Sequence, residues 1–197
     1  MKPNCLLTWF IISAPLASLA AAPTLSYDEV AALVAQAESG DATAVRRALT
    51  TLEAHADAPL ADAAKGRLLI LRSQYQPFVL MSYLDLYYGM KALNAYIVRD
   101  AVDPLPRVWR AASAPMSNYV LWNRDKTRRD LEFALAAHQE GTREPNLTAR
   151  CKLLLGLLAK DSGDLELALY YWREAVNLDP EGAAGREASQ LLALFTG

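Results

Sequence analysis

Cysteine, histidine and glycine are scarce in this chain of 197 residues, which holds two, two and nine of them. Cys5 and Cys151 cannot supply the paired ligands of a structural zinc site, and neither His55 nor His138 belongs to an HExxH run. No metal site is expected, and both histidines read as solvated helix-end residues. No GxGxxG or GxxxxGK[ST] loop offers a phosphate cradle, and no GxSxG elbow presents a nucleophile. Cys151 sits on an apolar helical face, where it reads as a small hydrophobe rather than a thiolate. With no activated nucleophile and no acid–base pair, the chain is not expected to be an enzyme, and no cofactor is expected.

An excess of positive charge is missing as well. Twenty basic residues face 22 acidic ones, a net of −2 spread along the chain. Nucleic acid is not an expected partner, because that role needs a strongly basic face. What is present is alanine, leucine and a hydrophobic fraction of 53%, too high for a disordered chain. That composition favours helix over strand, and the length suits one domain with a sizeable core.

The first residues, "MKPNCLLTWFIISAPLASLAAAP", have the anatomy of a secretory signal: Lys2, an apolar run from Cys5 to Leu16, then small residues. Ser18 and Ala20 suit the −3 and −1 positions, so residues 1–20 read as a signal peptide and residues 21–197 as a single helical domain. The run is short for a membrane span of about 20 residues. Removing residues 1–20 leaves Cys151 as the lone cysteine, so no internal disulfide can form. It also removes Lys2, leaving 19 basic against 22 acidic residues and a net of −3. These features point to an exported protein in a bacterial periplasm, or secreted.

The C-terminal third carries the clearest pattern. In "NLTARCKLLLGLLAKDS", Leu147, Cys151, Leu154, Leu155 and Leu158 share one helical face. Gly163 suits a left-handed stop, and Asp164 suits the cap of the next helix. In "GDLELALYYWREAVNLDP", Leu165, Ala168, Trp172, Ala175 and Val176 form a second inward face. A third helix, Ala184 to Phe195, turns Ala184, Ala188, Leu191, Leu192 and Phe195 the same way. A helix–turn–helix unit of about 34 residues that closes on a proline resembles the tetratricopeptide repeat. With Ala149 as the first position, the signature positions fall on Leu155, Gly156, Gly163, Ala168, Trp172, Ala175 and Pro180, and all suit the family. Lys152 and Ala159 depart from it where aromatics are expected. The resemblance covers residues 149–182, with 183–197 as a capping helix. It implies an all-α fold of antiparallel helix pairs, stacked as a short right-handed solenoid of about eight helices.

Upstream segments fit that rhythm in outline. Residues 121–141 read as the second helix of an earlier unit, with Leu131, Ala134 and Leu135 inward. Residues 27–59 repeat the order helix, Gly40-Asp41 turn, helix. Residues 60–76 read as a helix with Ala64, Leu68, Leu71 and Tyr75 on one face. Pro77 then opens a helix on which Tyr83, Leu86, Tyr87, Met90, Leu93 and Ile97 recur at helical spacing. Asp85 and Lys91 argue against a span there. Residues 100–117, with Pro104, Pro106 and Pro115, break the rhythm and read as an ordered loop anchored by Trp109, or as a tolerated insertion.

Two functions stand as expectations. The resemblance implies a scaffold whose first helices line a concave groove for a protein or peptide; Arg150, Leu153, Leu157 and Lys160 would then face the partner. A neighbouring helix could instead cover Leu153 and Leu157. The setting would be a cell-envelope assembly, secretion or transport complex. The alternative is a periplasmic protein that binds an apolar or aromatic small molecule among Tyr83, Tyr87, Tyr88, Trp109 and Trp122. An enclosed pocket would favour the second and an open groove the first.

Overall fold

The computed structural model describes residues 24–113, 123–139 and 146–196, and every regular element among them is helical. There are nine: α1 (Tyr27–Glu38), α2 (Ala42–Ala54), α3 (Ala61–Ser73), α4 (Val79–Arg99), α5 (Leu105–Ala112), α6 (Arg124–Gln139), α7 (Leu147–Asp161), α8 (Leu165–Leu178) and α9 (Ala183–Thr196). The proposed leader and Trp122 lie outside the described residues.

Local chemistry sets several of the boundaries. Ser26 and Glu29 form a capping box at α1: the Ser26 hydroxyl accepts from the Glu29 N–H, and the Glu29 carboxylate accepts from the Ser26 N–H. Asp41 caps α2 by accepting from the N–H groups of Thr43 and Ala44, and Asp164 caps α8 by accepting from that of Leu167. Gly163 takes φ +84°, the left-handed conformation that ends α7 cheaply. Pro104 and Pro106 do not interrupt a helix. They stand at the cap and in the first turn of α5, where a missing N–H costs nothing. The segment read as a loop across the solenoid therefore contains a helix, on which Trp109 is 1% exposed.

Packing follows chain order. Each helix packs on the next along the chain from α1 to α9. Contacts that skip one helix join α1 to α3, α3 to α5, α5 to α7 and α7 to α9. The odd-numbered helices thus make a continuous layer and the even-numbered ones flank it, a helical-repeat-like arrangement. Buried Val30, Val34, Leu68, Ile70, Val108, Trp109, Leu131 and Cys151 belong to one apolar core that runs through most of this stack. Trp172 heads a second cluster, with Ala149, Leu153, Ala168, Ala175, Ala184 and Ala188.

Charges lace the odd layer together. Arg67 Nε and Arg150 Nη2 both donate to Glu38 Oε1, at 2.8 and 2.5 Å, and Arg67 Nη1 donates to Ser113 Oγ at 2.9 Å. One network so ties α1, α3, the end of α5 and α7. Burial pushes the Glu38 carboxyl upward, but the Arg150 and Arg67 guanidiniums more than offset it and hold the group at about 2. Burial also draws Arg67 below the usual arginine value, against the pull of Glu38. A second network joins α4, α5 and α6. Arg110 grips Asp130 through two bonds of 2.7 and 2.6 Å, while Asn94 Oδ1 accepts from Arg110 and from Lys126 Nζ. The basic stretch 124–129 is therefore divided: Lys126 turns inward, while Arg128 and Arg129 are exposed.

Some inward positions expected from periodicity lie at the surface. Tyr75, Leu165 and Phe195 are all exposed, although Phe195 still stacks 5.6 Å from the Trp172 ring. Leu165 stands in the first turn of α8 and Phe195 in the last turn of α9, at helix ends where burial is incomplete.

Candidate functional site

The α7 residues expected to face a partner divide by environment. Leu153 is 5% exposed within the Trp172 cluster, and half-buried Leu157 packs against the same cluster. Arg150 is held by Glu38, and Lys160 lies 3.4 Å from the carboxylate of its neighbour Asp161. The neighbouring helices thus cover Leu153 and most of Leu157. Of the aromatic set, Trp109 is buried on α5, whereas Tyr83, Tyr87 and Tyr88 stand exposed on α4. The structure brings the tyrosines together, Tyr87 and Tyr88 meeting edge-on at 5.4 Å, and sets Trp109 apart from them.

The surface feature that asks for a partner is α4 itself. It is the longest described helix, at 21 residues or about 32 Å. Its inner side buries Asp85, Leu86, Gly89, Leu93, Tyr96 and Ile97. Its opposite side carries Leu80, Leu84, Tyr87, Tyr88, Lys91, Ala95 and Val98, at i, i+4, i+7, i+8, i+11, i+15 and i+18. Leu80 is 68% exposed and Val98 85%. Both faces of one helix are therefore apolar, and Lys91 is the charge within the outer stripe. A helix apolar all round is normally covered all round. Phe78, Val79, Met81 and Tyr75 extend the exposed apolar surface over the α3–α4 turn. The five exposed aromatic side chains, each about half exposed at roughly 150–250 Å² apiece, leave on the order of 500 Å² of ring surface in water. The aliphatic residues bring the patch to roughly 800 Å², above the largest patch usual on a monomer.

The orientation of this face is fixed from behind. Arg72 Nε and Nη2 donate to the two carboxylate oxygens of Asp85 at 2.9 and 2.6 Å, and Gln76 Nε2 donates to Oδ2 at 2.6 Å. Burial would raise the Asp85 carboxyl, but the Arg72 and Gln76 bonds and the Arg72 charge hold it below the usual range. Ser82 Oγ donates to the Ser73 carbonyl at 2.7 Å and pins the turn. Further along, the backbones of α3 and α4 approach at Gly66 and Gly89. A Cβ on Gly66 would sit 2.8 Å from the Gly89 carbonyl oxygen, so neither position has room for a side chain. The stripe is presented rigidly, which lowers the ordering cost of docking.

A cavity of about 100 Å³ lies among Arg128, Glu132, Leu155, Leu158, Ala159, Leu167 and Tyr171, between α6, α7 and α8. Ligand pockets usually measure some 300–1,000 Å³, so it suits one side chain or a few waters. Among the described residues no cluster of three or more His, Cys, Asp or Glu could hold a metal. Cys151 is fully buried, and burial pushes its thiol up to about 12, out of nucleophile range. Among the described residues no helix is long and apolar enough to cross a membrane. The packing of successive helices could be anticipated from sequence; the exposure of Tyr83, Tyr87 and Tyr88 is anticipated only by the ligand-binding alternative, because their spacing is also that of a core face. Comparison with family models, curated proteins and solved structures finds no match.

Proposed function

We propose that this protein is an exported, non-enzymatic scaffold of the tetratricopeptide-like kind, which docks a protein partner in a cell-envelope assembly, secretion or transport complex. One observation carries the reading: a rigid outer helix that is apolar on both faces, with one face in solvent. The signal-like segment at residues 1–20 supports export, and the pattern at 149–182 supports the repeat frame. Docking thereby moves from the expected first-helix groove to the outer side of a second helix, because the odd layer is closed by its own packing. The test is a photo-activatable amino acid placed at Tyr87 in the natively produced protein. The reading expects a covalent protein adduct in the envelope fraction and none from the same probe at exposed Glu187 on α9. Equal labelling from both positions would sink it.

A further inference from the structure

The outer stripe of α4 complements a second copy of itself. Resting on the reading of this face as a protein-docking surface, we propose that its partner is another copy of this chain, bound antiparallel through α4 about a two-fold axis near residue 89. Three observations carry this. The stripe has a direction: its N-terminal half is bulky, with Leu80, Leu84 and Tyr87, and its C-terminal half is slimmer, with Lys91, Ala95 and Val98. An antiparallel match sets Leu80 against Val98 of the copy, Leu84 against Ala95 and Tyr87 against Lys91, so a larger apolar side chain meets a smaller one at the two outer levels. Charge fits too. An isologous contact sets like against like near its axis, and the carboxylate nearest residue 89, Asp85, is buried and neutralised by Arg72. The one cation of the stripe, Lys91, faces a tyrosine ring of the copy, a favourable cation–π arrangement. Area is the third. The patch of roughly 800 Å² equals what one partner contributes to a stable interface of standard size. A lipid surface fits less well, since the chain is acidic overall and Arg72, the cation beside the apolar turn, is engaged by Asp85, which leaves Lys91 as the cation the stripe offers to anionic headgroups.

Sedimentation velocity of the natively produced protein at micromolar concentration should show a dimer, and Leu80→Glu should convert it to a monomer with an unchanged helical circular dichroism spectrum. Geometry is checked by single cysteines. Tyr88→Cys lies beside the axis and should cross-link to itself on mild oxidation. Val98→Cys lies far from its own copy and should cross-link only when mixed with Leu80→Cys. Buried Cys151 stays out of the reaction. A monomeric wild type, or self-linking at Val98→Cys without linking at Tyr88→Cys, overturns the proposal. Should the chain be monomeric while a probe at Tyr87 captures a different protein, the second copy is excluded and the docking reading stands. A monomer with no protein adduct, or with vesicle binding alone, removes both.

Discussion

Two helix hairpins in this molecule solve the same packing problem in opposite ways. In α7–α8 the small residue, Gly156, makes room for an indole: a Cβ there would collide with the Trp172 ring, and Trp172 is wholly buried. In α3–α4 the small residues meet each other, Gly66 against Gly89, and the two backbones come into contact. The first arrangement takes its large aromatic inside. The second leaves no space for a ring at that level, and Tyr83, Tyr87 and Tyr88 point to the other side, into solvent, while Tyr96, two turns beyond Gly89, is buried. A glycine opposite an aromatic takes the ring inside the hairpin; a glycine opposite a glycine leaves the nearby rings on the outer face.

The largest effect that tests this contrast is loss of the indole. Trp172→Ala removes a fully buried ring and leaves a cavity, and should cost about 3–5 kcal/mol of stability. Urea denaturation of both proteins measures it. A cost below about 1 kcal/mol would show that Gly156 and Trp172 do not hold the hairpin together as described.

Acid tests the lacing of the odd layer, which both hairpins share. The Glu38 carboxyl is depressed in the folded state from 4.5 to about 2 by Arg150 and Arg67, against its burial. Its contribution is therefore present above about pH 4.5 and is lost as pH falls toward 2, on the order of 3 kcal/mol in all. Denaturation midpoints across that window should fall steeply for the wild type and more shallowly for Glu38→Gln, which has already lost the charge. Parallel slopes would mean that the carboxylate is not paired as described.

A smaller effect is expected at the glycine contact. Gly89→Ala drives a methyl toward the Gly66 carbonyl and Ile70. Overpacking costs about 1–3 kcal/mol and the helix preference of alanine returns about 1, leaving roughly 0–2 kcal/mol of destabilisation. A stabilised variant would show that the two backbones do not touch.

The hairpins also differ in how far the sequence reveals them. For α7–α8 the local signals agree: Gly163 and Asp164 mark the turn, Ala168, Trp172 and Ala175 mark the inward face, and each is placed accordingly. For α4 the signals conflict. Tyr83, Leu86, Tyr87, Met90, Leu93 and Ile97 read as one core face, yet Leu86, Leu93 and Ile97 are buried while Tyr83 and Tyr87 are exposed. Periodicity cannot choose a face on a helix that is apolar all round. The Glu38–Arg150 pair was illegible for another reason: 112 residues separate the partners, and no local pattern records a contact made by stacking. In α5 the prolines hid the helix, since Pro104 and Pro106 mark a helix start as readily as a break.

The smallest effect is the most discriminating. Tyr88 is large and aromatic like Trp172, and it too lies on the second helix of its hairpin, but it is 53% exposed. Tyr88→Ala should therefore cost about 0.5 kcal/mol or less when unfolding is followed at concentrations where the chain is monomeric. At higher concentrations, the proposed association of copies through α4 predicts that the same substitution lowers the unfolding midpoint, because stability would then include that contact. The dependence on concentration separates the two roles of an aromatic side chain in this fold. Trp172→Ala should lose the same stability at every concentration, since its partners belong to its own chain. A Tyr88→Ala loss above about 1 kcal/mol in the monomer would mean that residues of the same chain already cover the outer face of α4, and that the two hairpins differ less than their glycines suggest.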